Sequence, residues 1–145
     1  MNTLEQEFMQ RLMVALSRRP NIKVHRQNTG MVLKKHGGVF HAGPPPGAAD
    51  ISGIVGPEGW RLEVETKGQE TKNQDNQKLW GEMIRKHGGI YAKVRYEEKL
   101  SMEQNIEAAV AMVMTEILRK RLSCKPARGE KIDARMEELF PRKEK

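Results

Sequence analysis

The sequence has a single cysteine, Cys124, among its 145 residues. A lone cysteine excludes an intrachain disulfide and a zinc site built from several cysteines. No apolar run approaches the roughly 18 residues that a membrane-spanning helix needs, and the N-terminus carries charged residues where a signal peptide would be apolar. The four histidines show no metal-ligand spacing. We therefore expect a cytoplasmic protein that has no membrane partner.

The composition is typical of one small globular domain. Hydrophobic residues make up 37% of the chain and charged residues 31%, and this length suffices to bury a core. The net charge of +7 is uneven: residues 1–118 hold 16 basic and 14 acidic residues, whereas residues 119–145 hold 10 and 5. A basic excess favours a polyanionic partner, because phosphate contacts release counterions. The alternative is a solvated tail that only aids solubility.

Periodic hydrophobic patterns predict an α/β domain. The predicted helices are 3–18, 73–87 and 102–122, and the predicted strands are 22–27, 51–55, 60–64 and 90–96. A basic hairpin is predicted from 31–33 and 39–41 around a Lys-Lys-His-Gly-Gly turn. The apolar stripe of the last helix suits core packing or pairing with a second copy. A short helix is predicted at 131–139, in an otherwise loose tail.

The most informative motif is Asp50, then fourteen intervening residues, then Glu65-Thr66-Lys67. A turn at 56–59 joins the two strands on which these residues lie. Alternation puts Trp60, Leu62, Val64 and Thr66 on one face, which can pack, and Glu65 and Lys67 on the other.

Asp50 and Glu65 then converge from adjacent strands, as a Mg²⁺ site with few carboxylates requires. Such a site activates water and offsets charge on a phosphate. The alternative interpretation is the solvated polar face of an edge strand, with Glu–Lys pairs.

Several other stretches accompany this motif in a fixed order: 26–30, 47–53, 59–67, Gln77 and Gly88-Gly89. Together they resemble the VRR-NUC family, the virus-type replication-repair nucleases of the PD-(D/E)xK superfamily, over residues 1–100. The resemblance implies a restriction-endonuclease-like core with a mixed, mostly antiparallel sheet flanked by helices. It also implies that Asp50 and Glu65 bind the metal, that Lys67 is the catalytic lysine and that Gln77 assists.

Two features depart from that pattern. Ala49 stands where the superfamily name has a proline, which this family often lacks. Glu63 is a second acid beside the motif, although the register from Gly59 and the spacing to Gln77 favour Glu65.

Other residues are expected to serve the same site. Glu5 lies near the middle of the first helix's apolar stripe, where a carboxylate needs a compensating partner. The resemblance favours Glu5 as a further metal ligand, whereas a capping box with Asn2 is the alternative. We expect five residues to contact nucleic acid: Arg26, Asn28, Lys34, Lys35 and Lys72.

The resulting hypothesis is a stand-alone phage or bacterial DNA endonuclease with a role in DNA repair. It would use Mg²⁺, with Mn²⁺ as a substitute, and cut branched DNA as a homodimer that recognises shape and backbone and not a base sequence. Residues 1–100 would form the nuclease core, 101–125 a helical extension and 126–145 a basic tail. The alternatives are a restriction-type endonuclease that reads sequence, and a non-catalytic DNA-binding or assembly protein with a vestigial nuclease core.

Overall fold

The computed structural model describes residues 3–27, 30–45, 47–67 and 74–124. Within these ranges the chain forms three helices and six strands. They are α1 (Thr3–Ser17), β1 (Ile22–Arg26), β2 (Gly30–Leu33), β3 (Val39–Ala42), β4 (Ile51–Val55), β5 (Trp60–Lys67), α2 (Gln74–Lys86), β6 (Ile90–Arg95) and α3 (Met102–Ser123). The predicted elements in these ranges are confirmed to within a few residues. The predictions for Asn28, Lys72 and the tail 126–145 lie outside the described residues.

Four strands form a mixed sheet in the order β1-β4-β5-β6. β4 pairs antiparallel with both β1 and β5, and β5 pairs parallel with β6. A parallel neighbour requires a crossover connection, and α2 lies in it. β2 and β3 form a separate antiparallel hairpin. The expected α/β class, with a mostly antiparallel mixed sheet and an added C-terminal helix, is confirmed at this level.

The sheet separates two layers of unequal size. On one face, α1 and α3 pack on Leu62 and Val64 of β5 to form the main core. On the other face, α2 covers a small cluster of Ala49, Ile84 and Tyr91 with Trp80 beside it. Alternation along β5 therefore points Glu63 and Glu65 towards α2.

The apolar stripe of α3 belongs to the main core. Val110, Val113 and Ile117 are buried there, so these side chains are not available to a second copy of the chain. None of the three helices named above has the length and apolar character needed to cross a membrane.

Candidate active site

The strand register places Asp50 opposite Glu65. Ile51 pairs with Val64 in the antiparallel β4–β5 ladder, so the next step outward sets Asp50 across from Glu65. On its other side, the Asp50 carbonyl accepts a hydrogen bond of 2.7 Å from the Gln27 N–H, which extends the β1–β4 pairing. Asp50 thus lies where β1, β4 and β5 meet at one end of the sheet.

The Asp50 carboxylate is fixed by Thr66. Its Oδ2 accepts from the Thr66 N–H at 2.9 Å and from Thr66 Oγ1 at 2.6 Å. Thr66, which alternation assigns to the face that can pack, is half-buried, and its hydroxyl reaches the polar site. The reason is that β5 runs past the end of β4, where its residues pair only with β6.

Glu65 is a buried carboxylate, and one of its oxygens has no partner among the described residues. The residue is 3% exposed, and its Oε1 accepts from Gln77 Nε2. Its Oε2 is also buried, and no donor in the described parts of the chain bonds to it. Burial, chiefly, and the Asp50 charge raise the pKa of Glu65 to about 7, whereas Lys67 and Lys93 act in the opposite direction. An unpaired buried acceptor is costly, so Oε2 is suited to a cation that binds there.

Lys67, Gln77 and Glu65 form a connected set. Lys67 Nζ donates to Gln77 Oε1, and Gln77 Nε2 in turn donates to Glu65 Oε1. Lys67 Nζ also lies 3.6 Å from Glu65 Oε1, and the lysine side chain is only 11% exposed. Because the amide bridges the ammonium and the carboxylate, the position of α2 controls the geometry of both.

A close contact with Tyr91 sets the position of α2. A Cβ atom built on Gly81 would lie 2.7 Å from the Tyr91 ring, so the helix reaches this distance only with glycine. The Tyr91 hydroxyl donates to the Gln77 carbonyl at 3.3 Å, and burial raises the pKa of that hydroxyl, which keeps it a donor. Sequence reasoning missed Tyr91. The available signal was Gly81, a glycine inside a predicted helix one turn after Gln77, which indicates a close approach by another residue.

The loop before Asp50 also contacts α2. Gly47 has a φ of +95°, and a Cβ there would lie 2.8 Å from backbone atoms of Asn76. The backbone of α2 occupies the space that a side chain at position 47 would need, so this position requires glycine.

Glu63 is a structural residue, and this separates it from Glu65. It is fully buried, and both of its oxygens accept hydrogen bonds. Four side chains donate to it: Ser52, Arg61, Gln27 and Trp80. The alternative of a solvated edge strand does not hold, because β5 lies between β4 and β6 and both acids are buried.

Glu5 lies at the same end of the sheet but on a helix of the opposite layer. The Phe8 ring, one turn later on α1, lies 5.6 Å from the Tyr96 ring, and the Tyr96 N–H donates to the Lys67 carbonyl. In the described ranges, no group of three or more His, Cys, Asp or Glu side chains is arranged to hold a metal ion. The role of Glu5 as a third ligand stays a prediction.

Exposed cations lie on the strands that meet at this end of the sheet and on the hairpin that follows β1. Arg26 ends β1, and Lys34 and Lys35 lie in the β2–β3 turn, all three exposed. On β6, exposed Lys93 and Arg95 pair in register with Glu65 and Lys67. Sequence reasoning did not single out these two cations, because only the parallel β5–β6 pairing brings them to the site.

Comparison of the chain with protein-family models and with curated proteins gives no match.

The contact between Gly81 and Tyr91 leads to a prediction. Gly81→Ala should destabilise the fold by roughly 1–3 kcal/mol through overpacking and should displace Gln77 from Lys67 and Glu65. Leu79→Ala, at a 63% exposed position on the same helix, is the matched control and should change little. Thermal unfolding and the metal affinity of both variants test this. Equal behaviour of the two would show that the helix tolerates a methyl group at Gly81.

Proposed function

We propose that this protein is a metal-dependent nuclease that hydrolyses phosphodiester bonds in DNA. The observation that supports it most strongly is the buried Oε2 of Glu65, which has no partner among the described residues and lies on a side chain opposite Asp50 and linked to Lys67 through Gln77. A structural ion pair gives its carboxylate a full set of donors, as Glu63 shows in the same strand. The contrast between the two acids favours a binding role for Glu65.

The residues present fit a hard divalent cation. Mg²⁺ is usually held by one or two carboxylates and completes its shell with waters and substrate phosphate oxygens, so Asp50 and Glu65 suffice without a third acid. When bound, Mg²⁺ supplies a polarised water and positive charge that offsets charge developing on the phosphate. Mn²⁺ has similar preferences for oxygen ligands and is expected to substitute.

Each neighbouring residue then has a distinct task. Lys67 Nζ provides a positive charge beside Glu65, where it can hold a phosphate oxygen or orient the attacking water. Gln77 keeps that ammonium and the Glu65 carboxylate in a fixed relation. Thr66 occupies Oδ2 of Asp50 and so orients this carboxylate. No covalent intermediate with the protein is proposed.

The assignment to the VRR-NUC family is part of the same proposal, as are branched DNA as the substrate and a homodimer as the active form. The exposed cations Arg26, Lys34 and Lys35 support a polyanionic substrate. A C2 dimer would suit a two-fold symmetric junction. Because the buried stripe of α3 packs inside the monomer, a dimer would have to use another surface.

One assay tests the proposal directly. Purified protein is incubated with labelled duplex, single-stranded, flap and four-way-junction DNA, each with Mg²⁺, with Mn²⁺ and with EDTA. We expect cleavage only when a metal is present, and faster cleavage of branched DNA. Binding without cleavage under every condition would contradict the nuclease proposal and favour a non-catalytic DNA-binding protein.

A further inference from the structure

The β2–β3 hairpin emerges from the candidate active site. The Gln27 N–H and the Asp50 carbonyl are hydrogen-bonded, and the hairpin lies in the excursion of chain between these two residues. Its strands pair with each other from Gly30↔Ala42 to Leu33↔Val39. Among the hairpin side chains that the structure describes, at 33–40 and 42, none belongs to either hydrophobic cluster.

Large apolar side chains of this hairpin are exposed to solvent. Leu33 is 81% exposed, Phe40 54% and Val39 47%. Leu33 and Val39 are opposite each other, and Phe40 lies on the other face of the ribbon. An apolar side chain stabilises the fold in proportion to the area it buries, so these three exposed side chains contribute little to the fold.

The stretch of sequence that contains the hairpin carries only positive charges. Residues 8–49 contain seven Lys and Arg and no Asp or Glu. Lys34 and Lys35 are exposed at the turn, where Gly37 and Gly38 have φ values of +88° and +93°. A ribbon with cations at its tip and exposed apolar side chains beside them is complementary to a phosphate backbone next to unstacked bases.

We propose that the β2–β3 hairpin is a wedge that binds unpaired or unstacked bases next to the cleavage site, with Phe40 as the residue that determines this specificity. This inference rests on the proposed nuclease function and adds the element that distinguishes branched from fully paired DNA. Lys34 and Lys35 bind flanking phosphates. Phe40 stacks on an exposed base, and Leu33 and Val39 contact the neighbouring base pair.

Nucleic acid fits this surface better than a second copy of the chain. A second hairpin would bring the same cations together, and the uniformly basic stretch provides no carboxylate to pair with them. A polyanion relieves this repulsion, and its bases match the aromatic side chain. The position of the hairpin between Gln27 and Asp50 also brings such a partner directly to the candidate metal ligands.

The test is a set of binding measurements without divalent metal, by fluorescence anisotropy, on a duplex and on a flap of the same sequence. Phe40→Ala should weaken flap binding roughly tenfold and leave duplex binding within twofold, since stacking involves only exposed bases. Lys34→Gln with Lys35→Gln should weaken both and lower the slope of log K against log salt by up to about two. Leu118→Ala and Lys86→Gln are the matched controls, at exposed positions on α3 and α2.

The outcomes separate this inference from the nuclease proposal. Equal loss on flap and duplex in Phe40→Ala, or a loss no larger than in Leu118→Ala, would overturn the wedge while Mg²⁺-dependent cleavage could still be observed. Absence of cleavage by the wild type, together with the predicted loss of flap binding, would overturn the nuclease and leave the wedge. A change from dimer to monomer on light scattering in Phe40→Ala, with flap binding intact, would assign the hairpin to self-association and overturn the wedge.

Discussion

Lys67→Ala should lower the Mg²⁺-dependent rate of DNA cleavage by roughly a hundred- to ten-thousand-fold, the range usual for loss of a group that assists proton transfer or stabilises charge at the reacting atoms. The physical reason is that Lys67 Nζ is the cation held beside Glu65, by Gln77, in a largely buried position. Single-turnover cleavage of a labelled junction measures the effect. Lys99→Ala, at an exposed lysine in the turn after β6, is the control and should retain the wild-type rate.

The two carboxylates should be equally sensitive to isosteric changes. Asp50→Asn and Glu65→Gln keep the shape of the side chains but remove the charge that a divalent cation needs. Both should abolish cleavage while preserving the circular dichroism spectrum. A Lys67→Ala or Glu65→Gln protein that cuts DNA at the wild-type rate would falsify the proposed mechanism.

Glu63→Gln distinguishes the two acids of β5. This change removes the charge that accepts from Arg61 and Ser52 in a fully buried position, so it should cost about 2 kcal/mol or more of stability. Glu65→Gln should lower activity instead, since one of the Glu65 oxygens accepts no hydrogen bond from the described residues. The opposite pattern would exchange the roles of the two residues.

The second large effect concerns pH. In the metal-free protein, the pKa of Glu65 is raised to about 7 from 4.5, chiefly by burial. Between pH 4.5 and pH 7, the folded state therefore keeps a proton on Glu65 that the unfolded state has already released. The stability that this proton contributes is complete below pH 4.5 and is lost as the pH rises to 7. Between pH 5 and pH 8 the loss should be on the order of 2 kcal/mol.

The binding of Mg²⁺ should show the reverse dependence. Because a ligand carboxylate must be ionised, the affinity should rise up to about tenfold for each pH unit below 7 and become constant above it. Denaturant unfolding and calorimetric titration at pH 5 to 8 measure the two effects. Glu65→Gln should remove both, whereas Glu107→Gln, at an exposed acid on α3, should remove neither. Identical pH profiles for wild type and Glu65→Gln would show that Glu65 does not titrate in this range.

Local sequence patterns were sufficient to predict the elements of the fold. The turn at 56–59 between two apolar runs predicted that β4 and β5 are neighbours, which brings Asp50 near Glu65. Hydrophobic periodicity predicted all three helices, because the period of an amphipathic helix depends only on the order of the residues. The stripe of α3 left two possibilities open, a core contact or an interface, and its packing on β6 and α1 decided for the core.

Local patterns could not predict which of the two acids on β5 receives a full set of hydrogen-bond donors. Alternation places Glu63 and Glu65 on one face of β5, and the sequence makes them nearly equivalent. They differ because Gln27 and Trp80, which are 36 and 17 residues away along the chain, donate to Glu63, whereas Glu65 Oε2 receives no donor from the described residues. The sequence by itself determined that a pair of acids and a lysine lie at one end of a sheet. Only the tertiary structure decided which acid is satisfied and which can bind a cation, because hydrogen-bond donors reach a buried carboxylate from elements that are distant in sequence.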